Sequence, residues 1–308
     1  MMSLHALILK AFLRLLGRLP LRVHYALGSF VAFLAEHVLH YRRQEVAINL
    51  ARCFPDRKYP WLREQTHLFY KHFGEIIAET VWFGACRGPE RLRRGDICEV
   101  VNPEVLQHLY DVAPSVLVMY THCGNWELLG GLEYYNLSGA PFPVKGERLC
   151  VVYKRMSSKA WDRIMADNRM APLVNRKELT GYVESNDVMR YALRHRDEKL
   201  ILNFNTDQSP YNSTKAKVDL EFLHQPTRAM TGAASLASHM GYSVAYMSMR
   251  RIRRGRYQIE YTPICENAST MTPEDITRQY YALLEKDINA QPFNYLWSHR
   301  RWKDDVIL

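Results

Sequence analysis

From about residue 96 onward the apolar positions follow two alternating regimes. Short continuous apolar runs at Ser115–Tyr120 (SVLVMY), Leu149–Tyr153 and Leu200–Phe204 (LILNF) have the length of buried strands. Between and after them, helical spacing covers Asn125–Tyr135, Ser157–Asn168, Glu184–Arg194 and the small-residue stretch Thr227–Met240. Two later strands are predicted at Ser243–Met249 and Tyr257–Tyr261. Thr272 then caps a helix with Pro273 at its first position and two acids behind it. Its apolar face is Ile276, Tyr280, Leu283, Leu284 and Ile288. Upstream, Pro60 opens a helix whose apolar positions run through about Val81, and Arg87–Arg94 reads as a basic connector. Strands alternating with helices predict an α/β body: a mixed central sheet flanked by helices.

The first 41 residues have a different pattern. Lys10, Arg14, Arg18 and Arg22 recur every four residues, with Leu7, Ile8, Phe12 and Leu15 among the groups filling the other positions. That is a basic amphipathic helix, suited to an anionic membrane surface. Val23–Tyr41 carries no Lys or Arg and approaches the ~20 residues needed to span a bilayer. Glu36, His24, His37 and His40 interrupt it, so the expectation is a monotopic or shallow anchor. Arg42 and Arg43 follow as a cytoplasmic flank. The competing reading is an amphipathic hairpin packed on the protein itself. The expected division is residues 1–41 as membrane-anchoring helices and 42–308 as the α/β domain.

Composition narrows the partners. Of 308 residues, 47% are hydrophobic and 24% charged, which excludes a disordered chain. Mean hydropathy of −0.30 excludes a polytopic membrane protein. The net charge of +9 favours anionic partners: nucleic acid, anionic lipid or an acidic carrier protein. No nucleic-acid-binding motif accompanies the charge, so nucleic acid is set aside. The densest basic run, Arg250–Arg256, is either a solvated turn between strands or a contact for lipid headgroups or the carrier. The six cysteines form no C-x-x-C and no zinc spacing, which points to a reducing compartment and no metal centre.

Three polar groups fall where strands end: His122 after SVLVMY, Lys154 after VVY and Asp207 after LILNF. Ligands of open α/β sheets bind outside the carboxyl ends of strands, so these groups can meet in one crevice. The first lies in Thr121-His122-Cys123-Gly124-Asn125-Trp126-Glu127. On a continuous helix His122 and Glu127 would be rotated about 140° apart. A sharp turn at Gly124, with Asn125 capping the next helix, would instead let Glu127 fold back onto one imidazole nitrogen. The other nitrogen would then be free to take a proton from a hydroxyl. The alternative is a strand-end histidine satisfied by a helix cap. Cys123 is a weaker candidate nucleophile.

The string T-H-C-G-N-W-E-L resembles the H-x4-D/E motif of the bacterial lipid A late acyltransferases, the lysophospholipid acyltransferase family of lipid A biosynthesis. The resemblance continues in order along nearly the whole chain. It takes in Arg42-Arg43, Asn49-Leu50, Cys53-Phe54-Pro55, Val152-Tyr153-Lys154, Thr206-Asp207-Gln208, the Phe222–Gly232 stretch and Tyr295–Lys303 with its W-S-H-R-R-W core. Two positions depart: Lys154 stands where members usually carry Arg, and T-D-Q-S-P lacks a second acid.

The resemblance implies a glycerol-3-phosphate acyltransferase-like fold and an enzyme at the cytoplasmic face of the inner membrane. It would transfer an acyl chain from an acyl thioester, on acyl carrier protein or coenzyme A, to a hydroxyl of a lipid A precursor, without a metal or other cofactor. The implied catalytic pair is His122 and Glu127. Asn125, Lys154, Asp207, Arg300 and Arg301 are expected to bind substrate; Trp297 and Trp302 either frame the last two at a membrane interface or belong to a packed C-terminal segment. The two departures keep other acceptors open: another glycolipid, an aminolipid or a lysophospholipid. A non-catalytic lipid-binding relative is the remaining alternative.

Overall fold

Val116–Tyr120 is buried at every position, as a strand with neighbours on both edges and layers on both faces must be. Its side chains alternate between two cores: Leu117 and Met119 on one face of the sheet, Val116, Val118 and Tyr120 on the other. The computed structural model describes residues 4–137, 148–173, 181–210 and 216–302.

The chain begins with α1 (Leu4–Leu16) and α2 (Leu21–Phe33), a π-helical turn over Leu34–Val38, α3 (Arg43–Cys53) and the long α4 (Tyr59–Phe83). Then come α5 (Glu90–Gly95), β1 (Cys98–Val100), α6 (Pro103–Val112) and β2 (Val116–Tyr120). A 3-10 stretch (Trp126–Tyr134) leads to β3 (Asn136–Leu137), β4 (Leu149–Tyr153), α7 (Lys159–Arg169), β5 (Tyr182–Glu184), α8 (Val188–Arg194) and β6 (Ile201–Asn205). The hairpin β7 (Lys217–Phe222) and β8 (Gln225–Met230) precedes α9 (Gly232–Met240), β9 (Ser243–Arg253), β10 (Arg256–Cys265) and α10 (Pro273–Ala290).

Eight strands form one mixed sheet in the order β3-β1-β10-β9-β2-β6-β4-β5. Among the described residues only β9 and β10 pair antiparallel within it; β7 and β8 form a separate antiparallel ribbon. The α/β class and mixed sheet are therefore as the pattern predicts. Thr272 caps α10 by accepting from the Asp275 amide, again as expected. The helix expected from Glu184 starts only at Val188, because Glu184 ends β5, and three further local expectations fail. The helix expected from Asn125 is a 3-10 stretch, Arg87–Arg94 is partly helical, and the first residues assigned to the Thr227–Met240 helix belong to β8.

Among the described residues no helix is long and apolar enough to cross a membrane. α2 instead packs along α4, where Gly28 and Gly74 bring the two backbones together: a Cβ on Gly28 would sit 2.4 Å from the Gly74 carbonyl oxygen. One side of the N-terminal pair is thus docked on the body, as the hairpin reading expects. The other side keeps a large apolar surface in solvent, including Ile8, Phe12 and Leu15 on α1 and Leu27 and Phe30 on α2.

Candidate active site

β2, β6 and β4 are adjacent and parallel, so His122, Asp207 and Lys154 leave the same edge of the sheet. Two consecutive tyrosines of α10 fix the ends of the central pair. Tyr280 donates to the Tyr120 carbonyl at 3.0 Å and Tyr281 to the Thr206 carbonyl at 3.3 Å. Past β2 the chain turns at Gly124, whose φ is +68°. A side chain there would be strained and would strike Met249 at 2.7 Å, so the sharp turn expected at this glycine is present.

His122 is held by Asp207. Its Nδ1 lies 2.7 Å from Asp207 Oδ1, and its backbone amide donates to Oδ2 at 3.1 Å. Asp207 is 1% exposed. Burial alone would raise its pKa, but the charge of His122 and these two bonds hold it below the usual carboxylate value. A proton on Nδ1 donates to the carboxylate and leaves the Nε2 lone pair for the opposite side. There, Asn205 Nδ2 and Gln208 Nε2 each lie 3.2 Å from it. Trp126 packs edge-on against the ring at 4.8 Å between centroids.

Glu127, expected to orient the imidazole, bonds elsewhere. Arg169 grips it in bidentate fashion, Nε to Oε2 at 2.7 Å and an η-nitrogen to Oε1 at 2.6 Å, and Trp126 Nε1 donates to Oε1 at 3.1 Å. The pairing raises the Arg169 pKa above its ordinary value against the opposing effect of burial. The reason is local. A 3-10 stretch carries Glu127 toward α7, whereas the fold-back expected onto His122 required a different turn. Asn125 is also displaced from its expected role. It is fully buried and donates to Glu79 at 2.9 Å, so it neither caps the following helix nor faces a substrate.

Of the expected substrate contacts, Lys154 does line the crevice. Arg300 is exposed and paired with Glu45 of α3 at 2.6 Å. Arg301 is buried, donating to Tyr281 Oη at 2.9 Å and to the Arg228 carbonyl at 3.0 Å, so it supports the tyrosine that fixes β6. Trp297 and Trp302 are buried, which sets aside their reading as a membrane-interface frame; Lys303 lies outside the described residues. The terminal W-S-H-R-R segment instead meets the early motif. Asn49 donates to the carbonyls of Trp297 (2.8 Å) and His299 (3.0 Å), and Arg42 to that of Ser298 (3.3 Å). These two distant signatures form one clasp.

The basic run divides: Arg250 and Arg253 are exposed, whereas three other arginines pair with carboxylates. Arg251 and Arg254 grip Glu75 at 2.7 and 2.9 Å, and Arg256 pairs with Asp96 and Glu99. The run does join two strands, as the turn reading expects, but Arg251 and Arg256 lie in β9 and β10 and are paired, not solvated. Cys123 is buried, and burial pushes its thiol well above the ordinary range, so it lacks the thiolate a nucleophile needs. Among the described residues one trio could hold a cation: Glu36, His37 and His67, with ligand atoms within 4.8 Å of one another. None of the three lines the crevice.

The crevice is a cavity of about 780 Å³, inside the roughly 300–1,000 Å³ range of ligand pockets. His122, Lys154, Arg169, Asn205 and Gln208 stand among its polar groups, while Leu129, Val151, Val152, Val188 and Leu236 make much of it apolar. A base in the lining of a largely apolar cavity suits proton abstraction beside an aliphatic chain. Sequence reasoning missed Arg169, Asn205 and Gln208 as site residues. The latter two flank Asp207 in sequence, which was the available signal; nothing in the sequence pairs Arg169 with Glu127.

A family model described as bacterial lipid A biosynthesis acyltransferase matches residues 3–304. The lipid A biosynthesis lauroyltransferase of Escherichia coli (strain K12) is 25% identical over 301 residues, covering 94% of this chain and 88% of that protein.

Proposed function

The chain belongs to the bacterial lipid A biosynthesis acyltransferase family, and on that premise we propose that it moves a fatty acyl chain from an acyl carrier protein thioester to a hydroxyl of a lipid A precursor. The observation that carries the chemical part is the 2.7 Å contact between a buried Asp207 and His122, which lines the largely apolar cavity. Nε2 of His122 takes the hydroxyl proton of the acceptor. The alkoxide oxygen attacks the thioester carbonyl carbon and forms a tetrahedral oxyanion. Collapse breaks the carbon–sulfur bond, and the imidazolium returns its proton to the departing thiolate. Asp207 fixes the tautomer and stabilises the imidazolium throughout. The amides of Asn205 and Gln208, clustered at Nε2, and the Lys154 ammonium stabilise the oxyanion or an acceptor phosphate. Lysine can supply the charge here but not the two-pronged grip of an arginine. Glu127 acts through Arg169, whose guanidinium it holds at the cavity wall.

The enzyme works, on this reading, at the cytoplasmic face of the inner membrane, with the apolar side of α1 and α2 embedded among lipid headgroups. The test is acyl transfer from an acyl carrier protein thioester to a purified lipid A precursor by wild type, His122→Ala, Asp207→Asn and Glu127→Gln. Losing the base, or the carboxylate that fixes it, should cost about 10²–10⁴-fold in kcat. Wild-type turnover by His122→Ala would end the proposal. A deficit in Glu127→Gln larger than that of Asp207→Asn would return the orienting role to Glu127.

A further inference from the structure

A second cavity, of about 390 Å³, lies between α1, α4 and α7. Its interior is almost entirely apolar, with Leu13, Ile76, Ile77, Val81, Ile164 and Met165 in the wall. Two consecutive pairs of residues divide it from the reaction cavity. Trp126 and Arg169 line the larger space, whereas Glu127 and Asn168 line the smaller one. The partition is therefore the bidentate Glu127–Arg169 ion pair itself.

The rim identifies the occupant. Lys10 and Arg14 stand there, Lys10 paired with Asp167, together with the half-exposed indole of Trp161. Cations and an indole around an apolar throat fit an aliphatic chain with an anionic head. The same helix α1 presents Phe12 and Leu15 to solvent, so a chain could pass from a bilayer into the throat over apolar surface.

We propose that this second cavity seats an alkyl chain of the acceptor lipid, on the far side of the Glu127–Arg169 pair from the reacting carbonyl. The inference rests on the acyltransferase reading above and adds the acceptor's own anchoring subsite. A lipid with several chains would straddle the ion pair, one chain held beyond it while its hydroxyl approaches His122. Glu127 and Arg169 then position the acceptor.

The experiment follows Trp161 emission in the full chain, as the difference between wild type and Trp161→Phe, during titration with 16-doxyl-stearate. Saturable quenching is expected, displaced by unlabelled lipid A precursor and not by the acyl carrier protein thioester. Filling the cavity with Ile164→Phe or, independently, Met165→Phe should weaken quenching at least tenfold. Each should also raise KM for the acceptor while leaving KM for the donor in place, provided the thermal midpoint shows a folded protein. Non-saturable quenching would overturn the inference. So would displacement by the donor, or saturable quenching that the precursor fails to displace. Saturable, precursor-sensitive quenching in a protein that transfers no acyl group would instead sink the catalytic reading and leave this subsite standing.

Discussion

Glu79 is tied to the turn after β2 through Asn125 and receives three neutral donors: Tyr25 Oη at 2.9 Å, Tyr257 Oη at 2.8 Å and Asn125 Nδ2 at 2.9 Å. Burial pushes its pKa up to about 7, against those donors. The folded state thus binds this proton more tightly than the unfolded chain. The contribution of Glu79 to stability is full below about pH 4.5 and is lost as pH rises to about 7, a swing of roughly 3 kcal/mol. His24 and His72, lowered by burial, act in the opposite direction over part of the same interval, so the informative quantity is a difference. The stability of Glu79→Gln relative to wild type, from urea unfolding, should rise by a few kcal/mol between pH 4.5 and 7. An unchanged difference would mean that Glu79 titrates normally. Glu75 has the reverse sign and another window. Burial opposes its ionisation, but His72, Arg251 and Arg254 hold it down to about 2, so its contribution is lost only as pH falls from about 4.5. At this scale His122 was legible through its motif and Asp207 through its strand end. The contacts of Asn125 and Glu127 were not legible there. Their partners Glu79 and Arg169 are 46 and 42 residues distant, and only the packing of α4 and α7 brings them in.

Elements were legible where one physical signal dominated. Continuous apolar runs marked β2, β4 and β6, and a complete cap marked α10. The β7–β8 hairpin carried no such mark. Its turn is Leu223-His224, with φ of +52° and +61°, where a glycine or asparagine would be the usual signal. The stretch after it, Gln225–Met230, merges by composition with the small residues of α9. The N-terminal pair was half legible: amphipathic helices were expected, but not that α2 would lie backbone to backbone on α4. That contact makes a definite expectation. Gly28→Ala places a methyl group 2.4 Å from the Gly74 oxygen and 3.0 Å from the Ala78 Cβ. The helices must separate, at a cost of about 1–3 kcal/mol in urea unfolding. Gly232→Ala, whose methyl group would meet nothing within 4 Å, is the control and should be near neutral or stabilising. Equal stability of Gly28→Ala and wild type would show that α2 is not held on α4 in solution.

For the molecule as a whole, a net charge of +9 suggests that electrostatics attaches it to an anionic surface, yet the structure diverts much of that charge. Arg251, Arg254, Arg256 and Arg169 are spent on buried or half-buried carboxylates, and Arg301 on the Tyr281 hydroxyl and a backbone carbonyl. What faces outward in quantity at the N-terminus is apolar, with Phe12 and Phe30 both more than half exposed. Apolar contact should therefore dominate membrane attachment, with charge setting a smaller increment. Burying one phenylalanine is worth about 1.5–3 kcal/mol, or roughly ten- to a hundredfold in affinity. Phe12→Ser and Phe30→Ser should each weaken binding to phosphatidylglycerol–phosphatidylethanolamine vesicles by about that factor in co-sedimentation. Raising salt screens only the cationic increment, because the Debye length shrinks from about 10 Å at 0.1 M toward 3 Å at 1 M. The full chain should consequently stay bound in high salt, where a purely electrostatic attachment would release it. Release of wild type by salt, with no effect of either phenylalanine change, would mean that the apolar side of α1 and α2 is not the face the membrane meets.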